Sequence, residues 1–412
     1  MKRLHDVRRA GRARRGRPAR VLGVGALLCC AAAAALPCLS AAQAADPPAL
    51  PPVEFGAMFM NDWAFFDYDE PDAAEPASQD DESPFADGTE FRAARLGCGA
   101  LLGPHLELKL EYDFGGGEAT AADVYLQLSD VPFLNLVRVG HQFEPMNRLS
   151  GSSRNLVFLE KGLPNAFTSG RNTGIRTITP LLGQRMTLSL GAFRATDDTG
   201  ANLENEETHL GVRWTGLPLY RERGRQLVHA GVYVHRWNLG DEGVRFRQRP
   251  ESHLAPYLVD TGDIAASTAD FLGFEAAAIA GPVFLEADYI RAGVDARETD
   301  DLDFDGTSVA VGWTLTGEPR PYSRLNGNFT RFVPARPFDP AAGAWGALMF
   351  VARWSWLDLN DGPVRGGTMR DVSFGFDWYL TAQTRFLWNY ILVDAQDRGD
   401  LRIMQMRVQV DL

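Results

Sequence analysis

The sequence predicts an all-β protein, a transmembrane antiparallel β-barrel of about 16 strands with one constriction loop folded into its lumen. Three observations carry this reading. Apolar residues recur with period two along most of the chain, the spacing of a strand with two unlike faces. After the first 44 positions no apolar run reaches about 18 residues, which excludes helical spans but not barrel strands. Charged residues occupy the second face of nearly every strand, as expected where one face meets lipid and the other a wet lumen.

The N-terminus reads as a secretory signal peptide over residues 1–44. Nine bases (Lys2, Arg3, Arg8, Arg9, Arg12, Arg14, Arg15, Arg17 and Arg20) precede an uncharged stretch from Val21 that ends in Ala42-Gln43-Ala44. An uncleaved anchor helix is the alternative, and Pro37 and the preponderance of alanine weigh against it. Residues 45–412 then form a single exported barrel domain. Cys29, Cys30 and Cys38 leave with the signal, so Cys98 has no intramolecular disulfide partner. The remaining chain holds 32 basic and 52 acidic residues, a net charge of −20, which excludes nucleic acid as a partner by bulk charge.

The strands follow in order. In His105–Phe114 the residues Leu106, Leu108, Leu110, Tyr112 and Phe114 alternate with Glu107, Lys109, Glu111 and Asp113. Val137, Val139 and Phe143 are expected to face outward, with Arg138 and Gln142 inward. Further alternating runs cover Met186–Leu190, Leu210–Thr215, Val283–Tyr289 and Val372–Tyr379. The last strand sets Met404, Met406, Val408, Val410 and Leu412 against Gln405, Arg407, Gln409 and Asp411, and it is expected to close the barrel against the first. Aromatics such as Trp313, Trp354, Trp356, Trp378 and Trp388 suggest interfacial girdles. Connections near 102–104 and 380–384 read as short turns; Asp67–Asp87 and Val294–Asp305 read as long acidic loops. A large soluble β protein remains the rival on periodicity alone.

One segment breaks the rhythm. Between Val131 and Thr196 stand eight basic side chains (Arg138, Arg148, Arg154, Lys161, Arg171, Arg176, Arg185 and Arg194) and two acids (Glu144 and Glu160), a local charge of +6. Its irregular half, Met146–Thr173, is too long for an ordinary connection, and irregular backbone at membrane depth is tolerated only where it lines a lumen. The cations either meet anions or pair with lumenal acids such as Glu107, Glu111, Glu286 and Asp288.

The blocks Arg138–Pro145 (RVGHQFEP), Leu159–Phe167 (LEKGLPNAF) and Gly170–Gly174 (GRNTG) resemble the signature of the phosphate-selective porin O and P family. Four further blocks agree in colinear order: Phe91–Gly97, Val351–Asp361, Phe376–Leu380 and Asn389–Ala395. The resemblance implies a sixteen-stranded outer-membrane barrel, a homotrimer in outer-membrane lipid, whose arginine-rich lumen passes small anions such as phosphate. On it the candidate anion-binding, pore-lining residues are Arg138, Arg148, Arg154, Lys161, Arg171 and Arg176, with Arg92 and Arg353 from the outlying blocks. The chain departs from the family where two adjacent arginines are common and it has Arg92-Ala93. It also has only two lysines after the signal (Lys109 and Lys161) and ends on Leu412 rather than an aromatic. A general porin for organic acids or neutral solutes, or a structural or adhesive barrel with a closed lumen, stays open beside the anion channel.

No cofactor or enzymatic activity is expected, since no G-x-S-x-G elbow, glycine-rich phosphate loop or HExxH occurs. Asp301, Asp303 and Asp305 match the start of a calcium loop and are a weak metal candidate, because the twelfth position is Gly312 rather than glutamate.

Overall fold

The computed structural model describes residues 51–69, 85–146, 152–202 and 206–412. The expected signal segment, residues 70–84 of the acidic loop, and Arg148 lie outside the described residues.

Alternation fixes extended backbone, and every strand finds an antiparallel neighbour. The first nine are β1 (Val53–Asp69), β2 (Gly88–Leu101), β3 (Leu106–Asp113), β4 (Thr120–Val131), β5 (Asn135–Phe143), β6 (Arg171–Leu181), β7 (Met186–Arg194), β8 (Thr208–Arg221) and β9 (Gln226–Asn238). Two short strands follow, β10 (Arg247–Gln248) and β11 (Val259–Asp260). Then come β12 (Ala266–Ala280), β13 (Val283–Ala296), β14 (Leu302–Thr314), β15 (Tyr322–Ser323) and β16 (Asn328–Phe329). The last four are β17 (Ala347–Asp361), β18 (Val364–Tyr379), β19 (Thr384–Ala395) and β20 (Asp400–Asp411).

Sixteen of these close a barrel in chain order, with β10–β11 and β15–β16 set apart as two small hairpins. The expected closure is present: β20 pairs with β1 from Met58 opposite Asp411 to Asp69 opposite Asp400. A closed ring leaves no backbone edge facing lipid, the condition a membrane imposes on strands. Outward positions such as Phe350, Phe374 and Phe386 are exposed and apolar.

Two expectations need correction. Val294–Asp305 is not a long loop, because β13 runs to Ala296 and β14 starts at Leu302. Phe143 does not share the outward face of Val139: its ring lies 3.9 Å from the Arg171 guanidinium and 5.5 Å from Lys161 Nζ. Gly140, at φ +136°, stands between them in a backbone region closed to side-chain-bearing residues, and alternation slips there.

Connections alternate between the two ends of the barrel, so one end carries mostly tight turns and the other longer loops. Among the described residues, three connections run inward. The first (between β5 and β6, described over 144–146 and 152–170) and the second (239–265, between β9 and β12) enter from the loop end. The third (315–346, between β14 and β17) enters from the turn end, against the expectation of a single inward connection. The first crosses the lumen, and its short helical turn Leu163–Phe167 sits against β13, β14, β17 and β18.

These segments put an apolar core inside the barrel. Toward the loop end Met146, Leu163, Phe167, Phe246, Leu258 and Val259 pack on inward Phe271, Ile290, Phe304, Leu357 and Ile403. Toward the turn end Val157, Phe158, Phe329 and Phe332 pack on Leu227, Phe284, Met349 and Tyr379. The inward face is therefore not uniformly polar: it is apolar wherever a segment covers it, since that contact removes both surfaces from water. Phe167 is fully buried and meets Phe246 edge-on at 5.2 Å. Phe167→Ala is expected to cost about 3–5 kcal/mol of this inner packing. Limited proteolysis should then cut the first inward segment faster while the barrel stays folded.

Candidate functional site

Between the two apolar zones the wall is polar at mid-height. Asp62, Glu286, Asp288, Ser308, Arg353, Ser355, Asp371, Ser373, Asn389, Gln405 and Arg407 all face inward and are buried. The first segment enters this waist as irregular backbone, whose carbonyls lack the partners a helix or sheet would supply. Arginines from the wall and the third segment provide them. Arg385 donates to the Leu156 carbonyl at 2.6 Å and the Ser153 carbonyl at 3.2 Å. Arg407 donates to Leu159 at 2.6 Å, Arg353 to Glu160 at 3.1 Å and Arg320 to Asn155 at 3.1 Å. In return the Leu159 amide donates to Asn389 Oδ1 at 2.8 Å.

The candidate cations divide into two groups. Arg92 pairs with Glu160 at 2.8 Å, and Arg171 with Asp123 at 2.8 Å. Arg154 reaches Asp411 at 2.9 Å and Glu111 at 3.2 Å. Arg353 is buried against Glu251, which also accepts from Ser355 at 2.5 Å and from Ser373. Arg138, Arg176 and Lys161 have no carboxylate partner among the described residues. Arg138 donates to Gln127 Oε1 at 2.6 Å and lies 4.5 Å from the Tyr125 ring centre. Arg176, its cross-strand partner on β6, makes a 3.4 Å bond to the Phe143 carbonyl. Lys161 lines a small cavity of about 40 Å³ with Glu286, Asp288, Ser308, Arg320 and Arg353, enough for a few waters.

Two groups on the first segment have perturbed acidities. Burial would raise the Glu160 carboxyl, but Arg92 and Arg407 outweigh it and hold it below the usual carboxylate range. Burial and then Arg171 pull the Lys161 ammonium down to about 8, with Glu160 opposing them.

The island-centred reading left out several lumenal bases. Arg407 pairs with Asp62 at 2.6 Å and Glu160 at 2.8 Å. Arg213 pairs with Glu275 at 2.6 Å and caps the third segment through the Asn326 and Gly327 carbonyls. Arg320 pairs with Glu286 at 2.6 Å, and Arg95 with Asp113 at 2.7 Å. Alternation did place Arg213 and Arg407 opposite apolar neighbours, the one signal that could have found them.

The weak metal candidate fails on geometry. Asp303 and Asp305 lie on β14, not in a loop, and Asp303 is held by Arg291 at 2.8 and 3.0 Å. Among the described residues no group of three or more histidine, cysteine or carboxylate side chains could hold a metal ion.

Arg407→Ala would leave Asp62 and Glu160 without their shared cation, with an expected loss of about 3–5 kcal/mol. A lowered unfolding midpoint in detergent checks this, and Arg407→Lys should recover only part of it, since a point charge cannot replace the planar fork.

Comparison with known proteins follows this geometry. Residues 60–412 match the family described as phosphate-selective porin O and P. An uncharacterized protein of Caulobacter vibrioides is 27% identical over 326 residues, covering 76% of this chain, and the chain spans 64% of that relative's length. Among solved structures, the trimer form of OmpT, an outer membrane protein of Vibrio cholerae, aligns with a TM-score of 0.56 and 11% identity. That alignment covers 88% of this chain and 100% of the other. An anion-selective porin from Comamonas acidovorans aligns at 0.55 with 12% identity, covering 88% and 99%. OprB of Pseudomonas putida aligns at 0.55 with 9% identity, covering 87% and 94%. At these identities the likeness is one of fold.

Proposed function

The chain belongs to the phosphate-selective porin O and P family, and on that footing we propose that it is a passive outer-membrane porin whose waist prefers small anions, phosphate or a relative of it. One observation carries the preference: Arg138 and Arg176 stand directly opposite each other on β5 and β6 with no carboxylate partner among the described residues. Like charges in that register repel unless an anion lies between them. A guanidinium fork matches phosphate or carboxylate oxygens and keeps its charge. Lys161, near the Phe143 ring, adds a third cation with no carboxylate partner among the described residues. In this reading residues 1–44 direct export and are removed, the barrel works as a homotrimer, and the concentration gradient drives flux.

Ion pairing of Arg92, Arg154, Arg171 and Arg353 supports a milder alternative, a general porin for organic acids or neutral solutes. A closed structural barrel gains support from the apolar zones at either end of the waist. Planar-bilayer recordings separate the three. An anion channel gives conductance steps and an anion-signed reversal potential in a salt gradient, and added phosphate reduces its chloride current. A general porin shows steps with little selectivity, and a closed barrel shows none.

If the unpaired cations set selectivity, Arg138→Gln with Arg176→Gln should move the reversal potential toward cation preference. Arg92→Gln, which deletes a neutralised charge, should move it less. The pH dependence has a definite sign. Lys161 is charged below about pH 8 and neutral above it, so anion preference should fall as pH rises through about 8. Lys161→Gln should flatten that step.

A further inference from the structure

The first inward segment leaves the wall at Glu144, and that residue's surroundings do not belong to the waist. Its carboxylate is fully buried. Oε1 accepts from Asn172 Nδ2 at 2.5 Å and lies 2.6 Å from His209 Nδ1. Oε2 lies 2.8 Å from His235 Nε2. The second nitrogen of His209, Nε2, is 2.8 Å from Glu207 Oε1, and its ring stacks on Trp237 at 4.8 Å. Four titratable groups thus meet here from four places: the segment itself, the connection before β8, β8 and β9.

The hydrogen bonds assign the protons. Carboxylates only accept, so His209, flanked by one on each nitrogen, is satisfied only as the doubly protonated cation. An indole only donates, and Trp237 Nε1 donates to His235 Nδ1 at 3.0 Å. His235 accepts at Nδ1 and so carries a proton on Nε2, the nitrogen 2.8 Å from Glu144 Oε2. Burial works to raise the Glu144 carboxyl; the hydrogen bond and charge of His209 outweigh it and hold it below the usual carboxylate range.

We infer that Glu144, His209 and His235 form a proton-dependent latch that positions the root of the first inward segment, and that the latch depends on the proton shared by His209 between Glu144 and Glu207. The inference goes beyond the anion reading and does not depend on which solute passes. Loss of the His209 proton would set a nitrogen lone pair against one of its two flanking carboxylates, repelling either buried Glu144 or half-buried Glu207. The described part of the same segment from Ser152 onward fills the waist, and in this inference a small displacement at the root shifts it. The latch is intact at neutral pH and opens on the alkaline side. Acid does not open it until Glu144 itself is protonated.

The experiment is single-channel recording of the full-length protein in symmetric potassium chloride, from about pH 6 to about pH 10. It is run in a Lys161→Gln background so that the waist lysine contributes no step. The expected result is a one-proton transition in conductance or open-channel noise on the alkaline side. His209→Gln should abolish it and fix the high-pH behaviour at every pH. His235→Gln, which keeps a donor toward Glu144, should retain it. Circular dichroism of each variant checks that the barrel has formed. A flat profile in the Lys161→Gln background, a transition that survives His209→Gln, or one lost with His235→Gln in a folded barrel overturns the inference. Absence of any conductance in a folded barrel overturns the porin reading alone; limited proteolysis of the first segment against pH then decides the latch, and a cleavage rate that does not rise on the alkaline side overturns it.

Discussion

Closing sixteen strands into a ring satisfies the backbone toward lipid and encloses a volume whose filling the ring does not specify. Pairing of β20 with β1 removes the last free edge, so the backbone of every barrel strand has partners whatever lies inside. The interior is then free to differ. This chain fills much of it with three inward connections, two from the loop end and one from the turn end. Their apolar residues cover the inward wall toward both ends and leave a polar waist between.

Irregular backbone in that waist creates a demand for donors, and arginine meets it. Arg320, Arg353, Arg385 and Arg407 each bond a main-chain carbonyl of the first segment. Three of the four also neutralise an acid: Glu286, Glu251, and Asp62 with Glu160. A guanidinium engaged in this way has few donors left for a passing anion. Arginine-rich composition is thus not the same as an arginine-lined path, because one side chain cannot hold the segment and bind a solute with the same hydrogens. The candidate cations left without a carboxylate partner among the described residues, Arg138, Arg176 and Lys161, lie on the β5–β6 side where the first segment leaves and rejoins the wall.

The root of that segment shows how a local hydrogen-bond pattern fixes protonation. His209 and His235 contact the same carboxylate, yet their second nitrogens meet opposite chemistry: Glu207 accepts, and Trp237 donates. One imidazole consequently donates from both nitrogens and the other from Nε2 alone. Neither spacing nor composition distinguishes them.

Strand periodicity, closure on the last strand and the anomalous segment after β5 were legible in the sequence, because each rests on local order: a strand alternates its faces residue by residue. The blocks RVGHQFEP and LEKGLPNAF carried the family in the same way. Which cations stay unpaired was not legible. Alternation assigns a side chain to a face but says nothing of its height in the barrel or of what crosses the lumen to meet it. Arg154 pairs with Asp411 across 257 residues, and Arg407 with Asp62 across 345. Ring closure and the inward path of three connections, not any linear spacing, bring those charges together. Tertiary structure alone decided which arginines were neutralised, because neutralisation depends on distance in space.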